Sequence, residues 1–202
     1  MHWPVEESPW RTFSIEYRDT WAAMGLLLEQ GLTRYIGVSN FDPEQLEDLL
    51  NHTTHPPSVH QMELHPYLQQ NDWLAFHAKH GIHVTAYSPL AGTNPTYQPG
   101  EPVQLLNNSV VQHIAEKRGC TPAQVALVWG MSRGTSVIPK SQHKERITEN
   151  FHSLECTLKK KDLQKLDKLG ETHHRYNNPT SSWKVGLYKG MEDSEGKHKL
   201  HS

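Results

Sequence analysis

Residues 134–150 combine a short apolar segment with a cluster of cations. Residues 135–138 are predicted to form a strand that Pro139 ends, because proline has no N–H to donate to a ladder. Ser141 is expected to cap a helix that begins near His143, which leaves free N–H groups at the helix start. Three cations surround this point: Lys140, Lys144 and Arg146. Such an arrangement can bind phosphate, although a plain strand, turn and solvated helix face would explain these residues equally well.

Composition predicts a single domain. The chain has 202 residues, 35% of them hydrophobic, which is enough for one substantial core. The net charge is −2 with charges of both signs interspersed, which argues against a nucleic-acid surface, and no apolar run approaches the roughly 20 residues of a membrane helix. Cys120 and Cys156 are expected to be reduced thiols without a disulfide framework. We therefore expect a cytoplasmic protein with no nucleic-acid or membrane partner.

Strand and helix patterns alternate along most of the chain. Strands are predicted at 35–38, 59–64, 82–86 and 135–138. Helices are predicted after Ser14, Asp42, Asn71, Asn108, Thr121 and Gln142, and capping boxes mark two of them, Asp42 with Gln45 and Thr121 with Gln124. A last helix is predicted around Leu163, Leu166 and Leu169 and ends at Gly170. The loop at 91–102 is long enough to be a binding loop. This alternation predicts a parallel sheet covered on both faces, with functional loops at the carboxyl ends of its strands.

Histidines raise the question of a metal site, because His77, His80 and His83 are spaced in threes. His83 falls in a predicted strand while the other two fall in a predicted helix, so the three need not share a face. No other metal-ligand pattern accompanies them. We therefore expect no metal.

Five stretches, in order along the chain, resemble the motifs of the aldo-keto reductases. They are His2-Trp-Pro4, Gly37-Val-Ser-Asn-Phe41, Gln61-Met-Glu-Leu-His-Pro-Tyr67, Ala86-Tyr-Ser-Pro-Leu90, and Ile138-Pro-Lys-Ser141 with its continuation to Asn150. That family is built on a (β/α)8 TIM barrel and uses NADPH. The resemblance implies an α/β fold in which residues 1–180 form an incomplete barrel of about the last four β/α units. Residues 181–202 would then be a polar, partly disordered tail.

The resemblance also implies a role for individual residues. The nicotinamide carboxamide would be bound by Ser39, Asn40 and Gln61, and the nicotinamide ring would stack on Tyr87. The remaining cofactor contacts would be Ser88, Pro89 and Leu90 at the pyrophosphate, Ile138, Lys140, Ser141 and Arg146 around the 2′-phosphate, and Glu149 and Asn150 at the adenine. His2 matches the catalytic histidine that binds the substrate oxygen, and Trp3 matches a wall of the substrate pocket.

The first four strands of the family are absent from this chain except for the stub His2-Trp-Pro4, which in the family ends a barrel strand. The family's catalytic tyrosine, which donates a proton, is therefore also missing. The aspartate and lysine that adjust the acidity of this tyrosine are missing as well. The resemblance thus implies an NADPH-dependent oxidoreductase that reduces aldehydes or ketones, or oxidises polyols, with little activity expected of this truncated chain. It would need a missing N-terminal half or an oligomer partner. The alternative is a non-catalytic half barrel that binds nucleotide weakly or serves as an interaction module.

Overall fold

The computed structural model describes residues 16–92, 104–178, 187–189 and 191. Four parallel strands lie side by side in chain order. They are β1 (Gly37–Ser39), β2 (Val59–Glu63), β3 (His83–Tyr87) and β4 (Ser136–Val137). The fold is therefore α/β with a parallel sheet, and in the described part of the chain this sheet does not close on itself.

Seven α-helices accompany the strands in the described ranges. They are α1 (Tyr17–Glu29), α2 (Pro43–His52), α3 (Asn71–Lys79), α4 (Ser109–Arg118), α5 (Pro122–Ser132), α6 (Lys144–Phe151) and α7 (Lys160–Asp167). Short 3₁₀ turns follow β3, α6 and α7, at Leu105–Asn107, His152–Glu155 and Lys168–Thr172. Helices separate each strand from the next, as parallel pairing requires.

The two faces of the sheet differ in chemistry. Side chains that face the helices are buried and form the main core, including Met62, Leu64, Val84 and Ala86 with Trp129 of α5. On the opposite face, the strand register aligns one polar row across all four strands: Ser39, Gln61, Thr85 and Ser136. Because successive strand residues alternate between faces, each strand contributes to both the core and this polar row.

Most predicted elements are confirmed, and the differences lie at their ends. Both capping boxes are present, at Asp42 and Thr121. Helix α1 begins after Glu16, and the predicted cap at Ser14 lies outside the described residues. The predicted cap at Ser141 is wrong: His143 occupies the N-cap position of α6, and the Ser141 hydroxyl accepts the His143 N–H instead.

The prediction of two reduced cysteines is also wrong, because Cys120 and Cys156 form a disulfide. They are 36 residues apart in sequence, but the turn between α4 and α5 meets the segment after α6 with the two Cα atoms 5.8 Å apart. That separation lies within the range that a disulfide can bridge. Cysteine number and an expected compartment carried no information about this spatial proximity.

Apolar side chains remain exposed on the outermost helices. Leu26 and Leu27 of α1 are exposed, as are Ile147 and Phe151 of α6. Helix α1 packs beside β1 and α2 through Trp21, Ile36 and Leu49, and α6 packs against α5. Among the described residues, no helix is both long and apolar enough to cross a membrane.

Candidate functional site

The carboxyl ends of the four parallel strands define one edge of the sheet, and most of the candidate residues lie there. Ser39 ends β1, Gln61 lies near the end of β2, and Tyr87 ends β3. The Ile138 N–H donates to the Ala86 carbonyl at 3.2 Å, which extends the pairing of β4 beyond Val137. The structure thus brings the predicted nicotinamide residues and the start of the predicted phosphate segment to the same edge.

The turn after β1 is held tightly against β2. Asn40 has a φ of 56°, in the left-handed region that asparagine tolerates better than most residues. Its N–H donates to the Gln61 carbonyl at 3.0 Å, and the N–H of Phe41 donates to His60 Nε2 at 3.1 Å. The side-chain oxygen of Asn40, Oδ1, is buried and has no hydrogen-bond partner in the described part of the chain.

The segment after β3 turns sharply at Ser88, whose φ is 48°. Pro89 is buried and Leu90 packs against the main core, so this loop is firmly seated. Burial, together with the neighbouring Tyr188 and Glu63, raises the pKa of Tyr87 well above its usual value. Tyr87 is therefore neutral across the physiological range.

Glu63 anchors a C-terminal segment to the same edge. This carboxylate is fully buried at the end of β2. One oxygen accepts the Tyr176 N–H at 2.8 Å and the other accepts the Asn177 N–H at 2.9 Å. The Asn177 side-chain amide then donates to Ser88 Oγ at 3.0 Å. The C-terminal segment is thus connected both to β2 and to the predicted pyrophosphate loop.

Neighbouring groups stabilise the negative charge of the Glu63 carboxylate. His65 Nε2 lies 2.9 Å from a Glu63 oxygen, and both side chains are fully buried. Burial alone would raise the pKa of Glu63, but the hydrogen bond from His65, the nearby Arg175 charge and the Tyr176 N–H together hold this pKa below its usual value. Burial lowers the pKa of His65 despite the adjacent carboxylate. We therefore describe the pair as an ionised carboxylate that accepts a hydrogen bond from a neutral imidazole.

The C-terminal segment that Glu63 holds is closely packed against its neighbours. A Cβ at Gly92 would lie 2.1 Å from a ring carbon of Tyr176, so only glycine fits here without a shift. The Tyr188 hydroxyl donates to the Asn177 carbonyl at 3.1 Å, and the Arg175 guanidinium lies 3.9 Å from the centre of the Tyr188 ring. Tyr188, which lies in the predicted tail at 181–202, is buried in the main core.

The predicted phosphate segment presents uncompensated positive charge. Lys140 and Arg146 are exposed, and neither forms an ion pair within the described residues. Glu149 is bonded to α5, because its carboxylate accepts the Thr121 hydroxyl and its carbonyl accepts the Gln124 side-chain amide at 3.1 Å. Asn150, the other predicted adenine residue, lies in the last turn of α6 and is partly buried.

The remaining candidates are separated from this edge or not described. His2 and Trp3 lie outside the described residues. His77, His80 and His83 bond to three different groups, respectively the His60 ring, the Phe76 carbonyl and the Ser136 hydroxyl. In the described ranges, no group of three His, Cys, Asp or Glu side chains could hold a metal ion.

Sequence reasoning missed Glu63, His65 and the residues that they hold. A signal was present, since strand periodicity places Glu63 on the same face as Gln61, two residues earlier. The partners Tyr176 and Asn177 lie more than a hundred residues further along the chain. No local sequence pattern predicted that they would contact Glu63.

A parallel sheet of βα units with polar residues at its carboxyl edge defines an α/β protein, and its strands follow chain order as they do in a TIM barrel. The Aldo/keto reductase family model matches residues 1–171, and the chain belongs to this family.

Its relatives are longer proteins. An uncharacterized oxidoreductase of Schizosaccharomyces pombe is 42% identical over 177 residues, covering 87% of this chain and 54% of that protein. Aldo-keto reductase family 1 member A1 of Bos taurus is 39% identical, with 85% of this chain and 56% of that protein covered. An aldose reductase structure from Giardia lamblia has a TM-score of 0.79 and 36% identity, over 88% of this chain and 58% of that one. The chain spans just over half the length of these relatives.

Proposed function

We propose that this chain forms the NADPH-binding half of an aldo-keto reductase. The observation that carries the proposal is the meeting of three features at the carboxyl edge of the sheet: the Ser39–Asn40 turn with Gln61, the Tyr87–Leu90 loop, and the segment from Ile138 to Arg146. In open and closed parallel sheets alike, this edge is where ligands bind.

Two features of the described residues fit the cofactor. The buried, unpartnered Asn40 oxygen could accept an N–H from a carboxamide, the group that a nicotinamide carries. Lys140 and Arg146 could neutralise a phosphate, with the planar guanidinium as a bidentate partner and the ammonium as a point charge. A 2′-phosphate is the group that distinguishes NADPH from NADH, so these cations favour NADPH.

When bound, NADPH would supply a hydride to a carbonyl carbon. The residues of this chain would then bind and orient: Ser39, Asn40 and Gln61 the carboxamide, Tyr87 the ring face, and Ser88, Pro89 and Leu90 the pyrophosphate. Ile138 and Ser141 would line the 2′-phosphate region, while Glu149 and Asn150 would contact the adenine. His2 and Trp3 would face the substrate, a small aldehyde, ketone or polyol.

Cofactor binding by the 202-residue chain is the direct test. Replacing Lys140 with Ala is expected to weaken NADPH by roughly tenfold and NADH much less, because a charge-assisted contact to phosphate is worth about 1.5–3 kcal/mol. Lys165→Ala removes the same charge from α7 and serves as the control. Titration followed by NADPH fluorescence measures both. Equal losses for NADPH and NADH would contradict the 2′-phosphate assignment.

The second candidate, a half barrel that acts as a non-catalytic interaction module, is favoured by the exposed apolar side chains Leu26 and Leu27 of α1 and Ile147 and Phe151 of α6. Aldehyde-dependent oxidation of NADPH separates the two candidates. A rate that Arg146→Ala abolishes would argue against the non-catalytic module. The cytoplasmic location stays a prediction, and the Cys120–Cys156 disulfide is unusual for that compartment.

A further inference from the structure

Two buried histidines, His60 and His77, form a pair that the proposed cofactor site does not use. His60 lies on β2 and His77 on α3, and both are almost completely buried. His60 Nδ1 lies 2.6 Å from His77 Nε2. The two rings pack against Trp73, whose ring centre is 5.9 Å from that of His60 and 4.4 Å from that of His77.

The partners at the two ends of this pair fix its proton positions. At one end the Phe41 N–H, which can only donate, points at His60 Nε2 over 3.1 Å. At the other end His77 Nδ1 lies 2.5 Å from the Trp73 carbonyl, which can only accept. His60 must therefore be protonated on Nδ1 and donate to His77 Nε2, while His77 must be protonated on Nδ1 and donate to Trp73. Only two neutral imidazoles satisfy every contact.

This relay connects α3 to the turn after β1. Phe41 directly follows Ser39 and Asn40, the predicted carboxamide residues, and its N–H is held by the His60 ring rather than by a strand. The only other backbone hydrogen bond described from this turn to β2 is that of Asn40 N–H with the Gln61 carbonyl. His60 itself faces the helices, so it cannot touch a ligand on the opposite face of the sheet.

We propose that His60, oriented by His77, is a positioning residue for the nicotinamide side of the cofactor site. It fixes the Ser39–Asn40 turn through the Phe41 amide and leaves the phosphate side of the site, beyond β4, unaffected. The identity of the ligand, a nicotinamide cofactor, rests on the proposed function. The role of His60 in holding the turn rests on the hydrogen bonds alone.

The first measurement concerns the turn itself. Amide hydrogen exchange of Phe41 is followed in the 202-residue chain and in His60→Leu, which removes the acceptor. Exchange is expected to accelerate at least tenfold in His60→Leu, because a buried N–H would lose its partner. His60→Gln, whose side-chain oxygen can take the place of Nε2, is expected to keep Phe41 protected. Unchanged exchange at Phe41 in His60→Leu would overturn the proposal.

The second measurement concerns the ligand. NADP⁺ and adenosine 2′,5′-bisphosphate, which lacks the nicotinamide, are titrated against the same variants. His60→Leu is expected to weaken NADP⁺ about tenfold and leave the bisphosphate unchanged, with recovery in His60→Gln. Val84→Ala, a buried truncation on β3 away from the turn, is the control for general damage and should not change the ratio of the two affinities.

The outcomes separate the two proposals. An equal loss of both probes in His60→Leu would show only general damage and overturn the positioning role. If the unaltered chain binds neither probe, the proposed function fails, and the exchange of the Phe41 amide alone still decides whether His60 positions the turn.

Discussion

Single buried residues on and beside β2 couple the stability of this protein to pH. His60, Glu63 and His65 have essentially no solvent exposure. Each is accommodated by a specific partner: a second histidine, two backbone N–H groups, and a carboxylate, respectively. A buried polar group whose partner is lost costs much more than an exposed one, so these positions should respond strongly to protonation and to substitution.

Acidification is expected to destabilise the protein, beginning near pH 6.5. Burial lowers the pKa of His60 to about 3 and also lowers the pKa values of His65 and His77. Below 6.5 the unfolded chain therefore binds more protons than the folded chain, and stability falls by up to about 1.4 kcal/mol per pH unit for each such histidine. Urea unfolding at pH 7, 6 and 5 measures this loss. His60→Gln should make the dependence shallower, and an unchanged slope would contradict the assignment.

Glu63→Gln is expected to release the C-terminal segment. The new side chain would direct an NH₂ group at one of the two backbone N–H groups that Glu63 now accepts, which leaves donors facing donors. We expect a loss of about 1–3 kcal/mol in the free energy of unfolding and faster tryptic cleavage after Arg175. Glu171→Gln, the same change at an exposed position, is the control. Equal cleavage rates in the two variants would show that Glu63 does not anchor this segment.

At the scale of secondary-structure elements, the junction between α5 and α6 holds the cofactor helix of the proposed site. Thr121 caps α5 and also donates to Glu149 of α6. The Cys120–Cys156 disulfide joins the residue before that cap to the segment after α6. The disulfide therefore adds a covalent link between the start of α5 and the segment after α6, beside the Thr121–Glu149 hydrogen bond.

Removing the disulfide is expected to weaken the fold at this junction. Its closed loop of about 36 residues predicts a stabilisation on the order of 4 kcal/mol from reduced freedom of the unfolded chain. Unfolding of the oxidised chain with and without a thiol reductant measures this effect. The double variant Cys120→Ser/Cys156→Ser should match the reduced chain and lose its response to the reductant. A response that persists in the double variant would contradict the assignment.

The sequence predicted local elements well and long-range contacts poorly. Both capping boxes were readable because Asp42 and Thr121 find their partners three residues later. The motifs also led to the edge of the sheet where Ser39, Gln61 and Tyr87 meet. Nothing local revealed the tail anchored on Glu63, because those hydrogen bonds depend on how distant elements pack. The same holds for the His60–His77 relay and the disulfide.

At the scale of the whole molecule, four parallel strands form a sheet with two open edges in the described part of the chain. Helix α1 lies beside one edge, with Trp21 in a small core formed with Ile36 and Leu49. Its outer face carries Leu26, which is 52% exposed, whereas Leu49 on α2 is 1% exposed. The contrast between the two leucines gives a simple test of the overall arrangement.

Leu49→Ala is expected to cost about 2–5 kcal/mol in the free energy of unfolding, as other buried truncations do. Leu26→Ala should cost less than about 1 kcal/mol, because its side chain loses little contact. Urea unfolding of the two variants measures the difference. Comparable losses would mean that the outer face of α1 is covered in solution.

The anchor on Glu63 has a consequence for how the chain is completed during synthesis. Each strand pairs with its neighbour in sequence, so β1, β2 and β3 can assemble in turn as they leave the ribosome. Glu63 must wait for Asn177, which is 114 residues further along. Until that segment emerges, the end of β2 holds a carboxylate without its backbone donors. A nascent chain stalled before residue 176 should therefore lack the contacts of Glu63 with the C-terminal segment, and these contacts would form once residues 176 and 177 emerge.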